Sequence, residues 1–204
     1  MNMRRCLVLA FALALLGSAA LEAQTILTPV FKSPYRTFRR SELGAYISDP
    51  GQGVSIAVQG EYRLARPTFD FGITFGYLDG QGSSSSIFGV GIDGRLPVAR
   101  HNRDFPLDAS VTAGFGALFG DGQTGFAVPF GATLGRQVLL ENSSVSFTPY
   151  VHPVIAPTFG DLLSDVQFGL GLGVDISLTR TFDIRVSGSL GDIEGVAVGV
   201  AWHR

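Results

Sequence analysis

The stretch Phe88-Gly89-Val90-Gly91-Ile92-Asp93-Gly94 decides the fold. It contains GVGIDG, formally the glycine pattern of a dinucleotide-binding turn. In that turn the glycines join a buried strand to a helix, so a helical pattern must follow. Here Arg95-Leu96-Pro97-Val98 follows instead, and Phe88, Val90, Ile92, Leu96 and Val98 keep to one parity against Gly89, Gly91, Asp93 and Arg95. Strict alternation means a strand with two unlike faces. The glycines therefore belong to one face of that strand, and nucleotide binding is excluded.

The same alternation extends in both directions. Val54, Ile56, Val58, Tyr62 and Leu64 oppose Ser55, Ala57, Gln59, Glu61 and Arg63, and Phe69 to Tyr77 oppose Asp70, Gly72, Thr74 and Gly76. Further runs follow at Phe105–Phe119, Phe126–Leu134, Val145–Ile155, Val166–Leu178, Phe182–Val186 and Val196–Trp202. A weaker run, Leu43–Ile47, opens the series, and the total is ten strands, or eight if that run and a neighbour stay outside the sheet. A tilted strand crosses a bilayer in roughly 9 to 11 residues, and only a closed sheet satisfies its backbone groups in lipid. The large apolar residues occupy one parity while Gly, Ser, Thr and charged residues occupy the other, the reverse of a soluble barrel with a packed interior. The expected fold is all-β: a closed, antiparallel, up-and-down transmembrane β-barrel over residues 41–204.

The turns sort into two sets. Asp49-Pro50-Gly51, Asp79-Gly80, Asp121-Gly122, Gly160-Asp161 and Gly191-Asp192 are acidic, with Asp and Gly suited to tight hairpins. Ala65-Arg66-Pro67, Arg100 to Arg103 and Thr179-Arg180-Thr181 are basic. Alternate turns of an up-and-down barrel lie at opposite ends, so one end is acidic and the other, with both chain termini, is basic.

Residues 1–23 read as a secretory signal peptide: Arg4 and Arg5, an apolar run from Cys6 to Leu16, then small residues ending at Ala23. The run is too short for a transmembrane helix. Without these residues thirteen Lys and Arg face sixteen Asp and Glu, a net charge of −3, and no cysteine remains. Disulfides and thiolate chemistry are thereby excluded, and bulk charge argues against a nucleic-acid partner. Residues 24–40 read as an irregular stub, resting either at the membrane interface or in the lumen.

The alternating, aromatic-ended last strand Val196-Ala197-Val198-Gly199-Val200-Ala201-Trp202 resembles the C-terminal strand of the small bacterial outer-membrane β-barrel proteins, the group of the outer membrane protein A transmembrane barrel. The resemblance is one of pattern over nearly the whole mature chain, and His203 and Arg204 extend past the aromatic end. It implies export to the outer membrane, contact with outer-membrane lipid and lipopolysaccharide, and recognition by barrel assembly machinery.

Inward parity gathers Glu61, Arg63, Asp70, Asp93, Arg95, Asp108, Asp175, Asp183 and Arg185 toward the basic end. This cluster is expected to hold the barrel closed as a plug, or to line a constriction as charged rings do in channels. Above it the lumen is expected to be a narrow vestibule lined by Gly, Ser, Thr and Ala. His152 shares the inward parity with Tyr150, Thr148 and Ser146, but no spacing matches a catalytic signature. No catalytic, cofactor or metal residue is assigned; the Asp-Gly turns lack the ligand density of calcium loops. The expected role is structural or that of a passive small pore. A surface-binding, adhesin-like barrel is disfavoured by short outer loops, and a lipid- or peptide-hydrolysing barrel by the missing signature.

Overall fold

The computed structural model describes residues 28–34, 41–51, 54–81, 85–162 and 164–204. The signal-peptide reading of residues 1–23 lies outside them.

Among the described residues are twelve strand segments: β1 (Glu42–Asp49), β2 (Val54–Ala65), β3 (Asp70–Gly80), β4 (Ile87–Ala99), β5 (Asp108–Gly120), β6 (Gln123–Ala127), β7 (Phe130–Gly135), β8 (Val138–Leu139), β9 (Ser146–Gly160), β10 (Val166–Ser177), β11 (Phe182–Gly191) and β12 (Gly195–His203). Both β6 and β7 pair with β5 on one side and β9 on the other, and β8 continues along β9. The three therefore occupy one strand position, which makes ten positions. Pairing is antiparallel throughout, and β1 pairs with β12 from Glu42↔His203 to Asp49↔Val196, so the sheet closes without a free edge. The run from Leu43 thus belongs to the sheet, and the eight-strand alternative falls away. The strand read as starting at Phe105 starts at Asp108, because Asn102 Oδ1 accepts from the Asp104 and Phe105 amides and holds the preceding residues in a turn.

Alternation sets the register of every strand. In β1 and β12 burial strictly alternates residue by residue over most of their length, as it must when a one-residue slip would exchange the two faces. Outward side chains include Ile47, Val58, Phe75, Ile92, Phe130, Ile155, Leu172 and Val198, and residues as large as Phe75 are half exposed (52%). An apolar surface running right round a closed sheet suits hydrocarbon rather than water. Phe115, Phe126 and Phe159 stack across three strands on this face, with ring centroids 6.0 and 5.7 Å apart. The acidic and basic turns do fall at opposite ends, as the antiparallel order requires. The Asp121-Gly122 hairpin has both central residues at positive φ, 50° and 74°, the two-residue turn that Asp-Gly favours.

The wall has one thin seam. From Gly125↔Gly160 through Gly135↔Tyr150 to Leu139↔Ser146 the register between β6–β8 and β9 never shifts, yet pairing is interrupted opposite Pro149, Pro153 and Pro157. The carbonyls of Pro157 and Pro149 accept from the Val128 and Arg136 amides at 2.9 and 3.3 Å, so these outward-facing prolines direct their backbone groups at β6–β8. Lacking N–H groups, they return no bond to that neighbour.

Candidate functional site in the barrel lumen

Parity delivers the charged residues of six strands into the lumen near the basic end, where they form two linked networks. Arg63, almost fully buried, is the hub of the first. It pairs with Glu61 on its own strand, with Asp70 of β3, and with Asp93 of β4 at 2.9 Å. Arg95 holds the other oxygen of Asp70 at 2.8 Å. In the second network Arg185 of β11 makes a two-pronged contact with Glu42 of β1, 2.8 and 2.9 Å, and lies 3.8 Å from Asp175 and 3.6 Å from Asp183. The Tyr46 hydroxyl contacts the same guanidinium at 2.9 Å, and His203 meets Asp183 at 2.8 Å. Carboxylates in such a place are tolerable only when paired and hydrogen-bonded.

Eight of the nine residues expected to cluster are therefore together. Asp108 stands apart: its carboxylate accepts from the backbone amide of His101 at 3.0 Å and contacts the His101 ring, tying the β4–β5 turn to the wall. Sequence reading missed Glu42, Tyr46 and His203, although their parity, opposite to Leu43, Ile47 and Trp202, marks them as inward. The irregular stub, residues 24–40, also carries Lys32, one of the bases of the end that holds both termini. Lys32 lies inside the lumen, its Nζ 3.0 Å from Glu61 and 2.6 Å from Asp93. It lies in an irregular stretch with no periodicity, so no pattern signalled it.

Lys32 arrives there because residues 28–34 run through the lumen. The open alternative for the stub resolves inward for this part of it. Wall side chains donate to five of the segment's backbone carbonyls: Ser187 Oγ to Pro29 (2.6 Å), the Tyr150 hydroxyl to Phe31 (2.9 Å), Thr133 Oγ1 to Lys32 (2.7 Å), Arg95 Nη1 to Ser33 (2.5 Å), and Ser110 Oγ to Pro34. Thr28 donates to Gln59, and Ser33 Oγ to Asp175 at 2.6 Å. An irregular segment inside a barrel must find partners for its backbone groups outside a sheet; here side chains of the wall meet five carbonyls and the Lys32 amide, and the Val30 amide donates to the Thr28 carbonyl at 2.8 Å.

The expected vestibule is absent from this region of the lumen. Phe31 packs with Tyr150, Val154, Ala156 and Ile193, and Leu78 and Leu118 turn inward beside Ala57. The wall glycines are cradles: a side chain at Gly171 would collide with the Phe31 ring, one at Gly173 with Tyr150, and one at Gly199 with Tyr46. Small residues on the inner face thus mark where large ones cross from elsewhere, not where water stands. What stays open beside Lys32, His152 and Pro129 is a cavity of about 30 Å³, room for one or two waters.

His152 is engaged at both nitrogens. The Lys32 amide donates to Nδ1 at 3.3 Å, so the proton resides on Nε2, which gives it to Thr112 Oγ1 at 2.9 Å. In that tautomer the ring cannot take a proton from the threonine hydroxyl. Ser146 accepts from Gln137 at 2.9 Å. Among the described residues no group of three or more His, Cys, Asp or Glu could hold a metal ion.

A ten-position closed sheet with an apolar outer surface and a polar, filled lumen is now in view. The fold is that of the outer-membrane β-barrels. Among solved structures, the beta domain of the Bordetella autotransporter Brka is 15% identical, covers 80% of this chain and 82% of its own, and superposes with a TM-score of 0.54. A bacterial polysaccharide outer membrane secretin is 12% identical over 73% of this chain, with a TM-score of 0.47; this chain spans 56% of its length. The KdgM porin is 8% identical over 80% of this chain and 99% of its own, with a TM-score of 0.42. No protein-family model matches the sequence. No curated protein matches it either.

Proposed function

We propose that this is a non-enzymatic β-barrel of the bacterial outer membrane that stands closed at rest and acts as a passive small pore when residues 28–34 leave the lumen. The observation that carries this reading is the segment itself: seven residues inside the lumen, held by side chains of the wall. The apolar outer belt and the barrel neighbours support the location. The signal-peptide pattern supports export by the general secretory route.

With the segment out, the lumen presents Glu42, Glu61, Asp70, Asp93, Asp108, Asp175 and Asp183 against Arg63, Arg95 and Arg185. Such a lining favours cations. The test is single-channel recording in planar bilayers, with an unboiled-against-boiled gel shift to verify closure. The wild-type barrel is expected to be mostly silent, and Lys32→Glu, which sets a third carboxylate between Glu61 and Asp93, to conduct in discrete cation-selective steps. A closed Lys32→Glu barrel that is silent, or one that selects anions, would sink the pore reading and leave a structural barrel.

A further inference from the structure

The contacts between the lumen wall and residues 28–34 have an unusual composition. Four hydroxyls and one guanidinium donate to the carbonyls of Pro29, Phe31, Lys32, Ser33 and Pro34. Carbonyls are common to every peptide, so these contacts recognise an extended backbone rather than a particular sequence. Two side-chain sockets add specificity. The Phe31 ring lies over Gly171 against Tyr150, edge-on to His152 with centroids 5.7 Å apart. The Lys32 ammonium enters a socket formed by Glu61 and Asp93.

Formal charge points the same way. Glu61, Asp70 and Asp93 carry three negative charges, and Arg63 and Arg95 carry two positive ones. The network around Arg63 is balanced only when an occupant brings one cation to Glu61 and Asp93, and a buried carboxylate without its partner is costly. We infer that the lumen is a binding site for an extended peptide carrying an aromatic residue followed by lysine, and that residues 28–34 are its tethered ligand. A free peptide of this chemistry occupies the site in trans once the tethered copy is out. The site rests on the segment being a removable plug, and binding and conductance are read separately.

The experiment uses the full mature chain carrying Lys32→Glu, refolded in detergent, with closure verified by gel shift. The probe is a fluorescent heptapeptide with the sequence of residues 28–34, followed by anisotropy. The expected result is saturable binding, weakened at least about a hundredfold when the peptide itself carries Lys32→Glu, because a buried ion pair is then replaced by like charges. The wild-type chain, whose own segment competes at a local concentration in the millimolar range, is expected to bind the probe at least about tenfold more weakly than the variant. A second variant, Phe31→Asp, empties the other socket and is titrated in the same way. Equal binding of both peptides overturns the inference, as does no binding to either variant while both barrels are closed. Binding without conductance removes the pore and leaves the peptide site; conductance without binding does the reverse.

Discussion

Replacing Arg63 by methionine separates a working ion network from a decorative one. Arg63 contacts three carboxylates, those of Glu61, Asp70 and Asp93, and is almost fully buried. Its loss leaves three acids facing Arg95 and Lys32, one negative charge in excess with little access to water. Breaking a buried pair by removing one partner costs about 3–5 kcal/mol, and Arg63→Met is expected to fall in that range. The charge argument makes a further demand: adding Glu61→Gln, which restores neutrality, should recover about 1–3 kcal/mol of it. Arg103→Met, at an exposed turn, should change stability by less than about 0.5 kcal/mol. Reversible urea unfolding in lipid vesicles, followed by tryptophan emission and the gel shift, measures all three. An Arg63→Met barrel within about 1 kcal/mol of wild type, or a double variant no better than the single one, would refute the network as the element that holds the lumen together.

Three other expectations follow from the geometry. Gly171→Val drives a side chain into the Phe31 ring; overpacking of this kind costs about 1–3 kcal/mol, and limited proteolysis should show residues 28–34 becoming cleavable while the barrel stays closed. A protected segment would mean that Phe31 is not what seats it. Val198→Arg puts a cation on the outward face of β12 and should cost about 2–4 kcal/mol in vesicles if that face meets hydrocarbon, whereas a negligible change would place this surface outside the bilayer core. Pro153→Ala returns an N–H to the seam between β7 and β9 and should stabilise by about 0.5–1.5 kcal/mol. Urea midpoints at or below wild type would show that the seam is not short of hydrogen bonds.

The barrel was legible because its alternation is almost unbroken, and a two-residue period leaves only one choice of face. Parity turns the nine charged residues to the inner face, and eight of them meet in the two networks. Asp108 faces inward as its parity requires, but its carboxylate is engaged by the His101 amide and ring and stays outside the two networks; Leu78 and Leu118 also follow the inward parity, each beside an outward Tyr77 or Phe119. The largest gap was the lumen's content. A run of glycines on an inner face reads as empty space, since the sequence of a wall does not name what lies against it. Phe31, Tyr46 and Tyr150 fill that space from elsewhere in the chain, and Lys32 lies where no period exists to place it.

The Glu42–Arg185 contact joins residues 143 apart in sequence, and it does so across the line where β1 meets β12. Until those two strands meet, Arg185 lacks its two-pronged partner and the cavity that shelters it does not exist. The ions of the second network consequently act as a latch that engages only at the final step of assembly. A half-closed sheet holds exposed edges and unmatched charge together, which makes it a poor resting place in lipid. Closure of this barrel is expected to be all-or-none, with β1 and β12 the last strands to pair and the first to part.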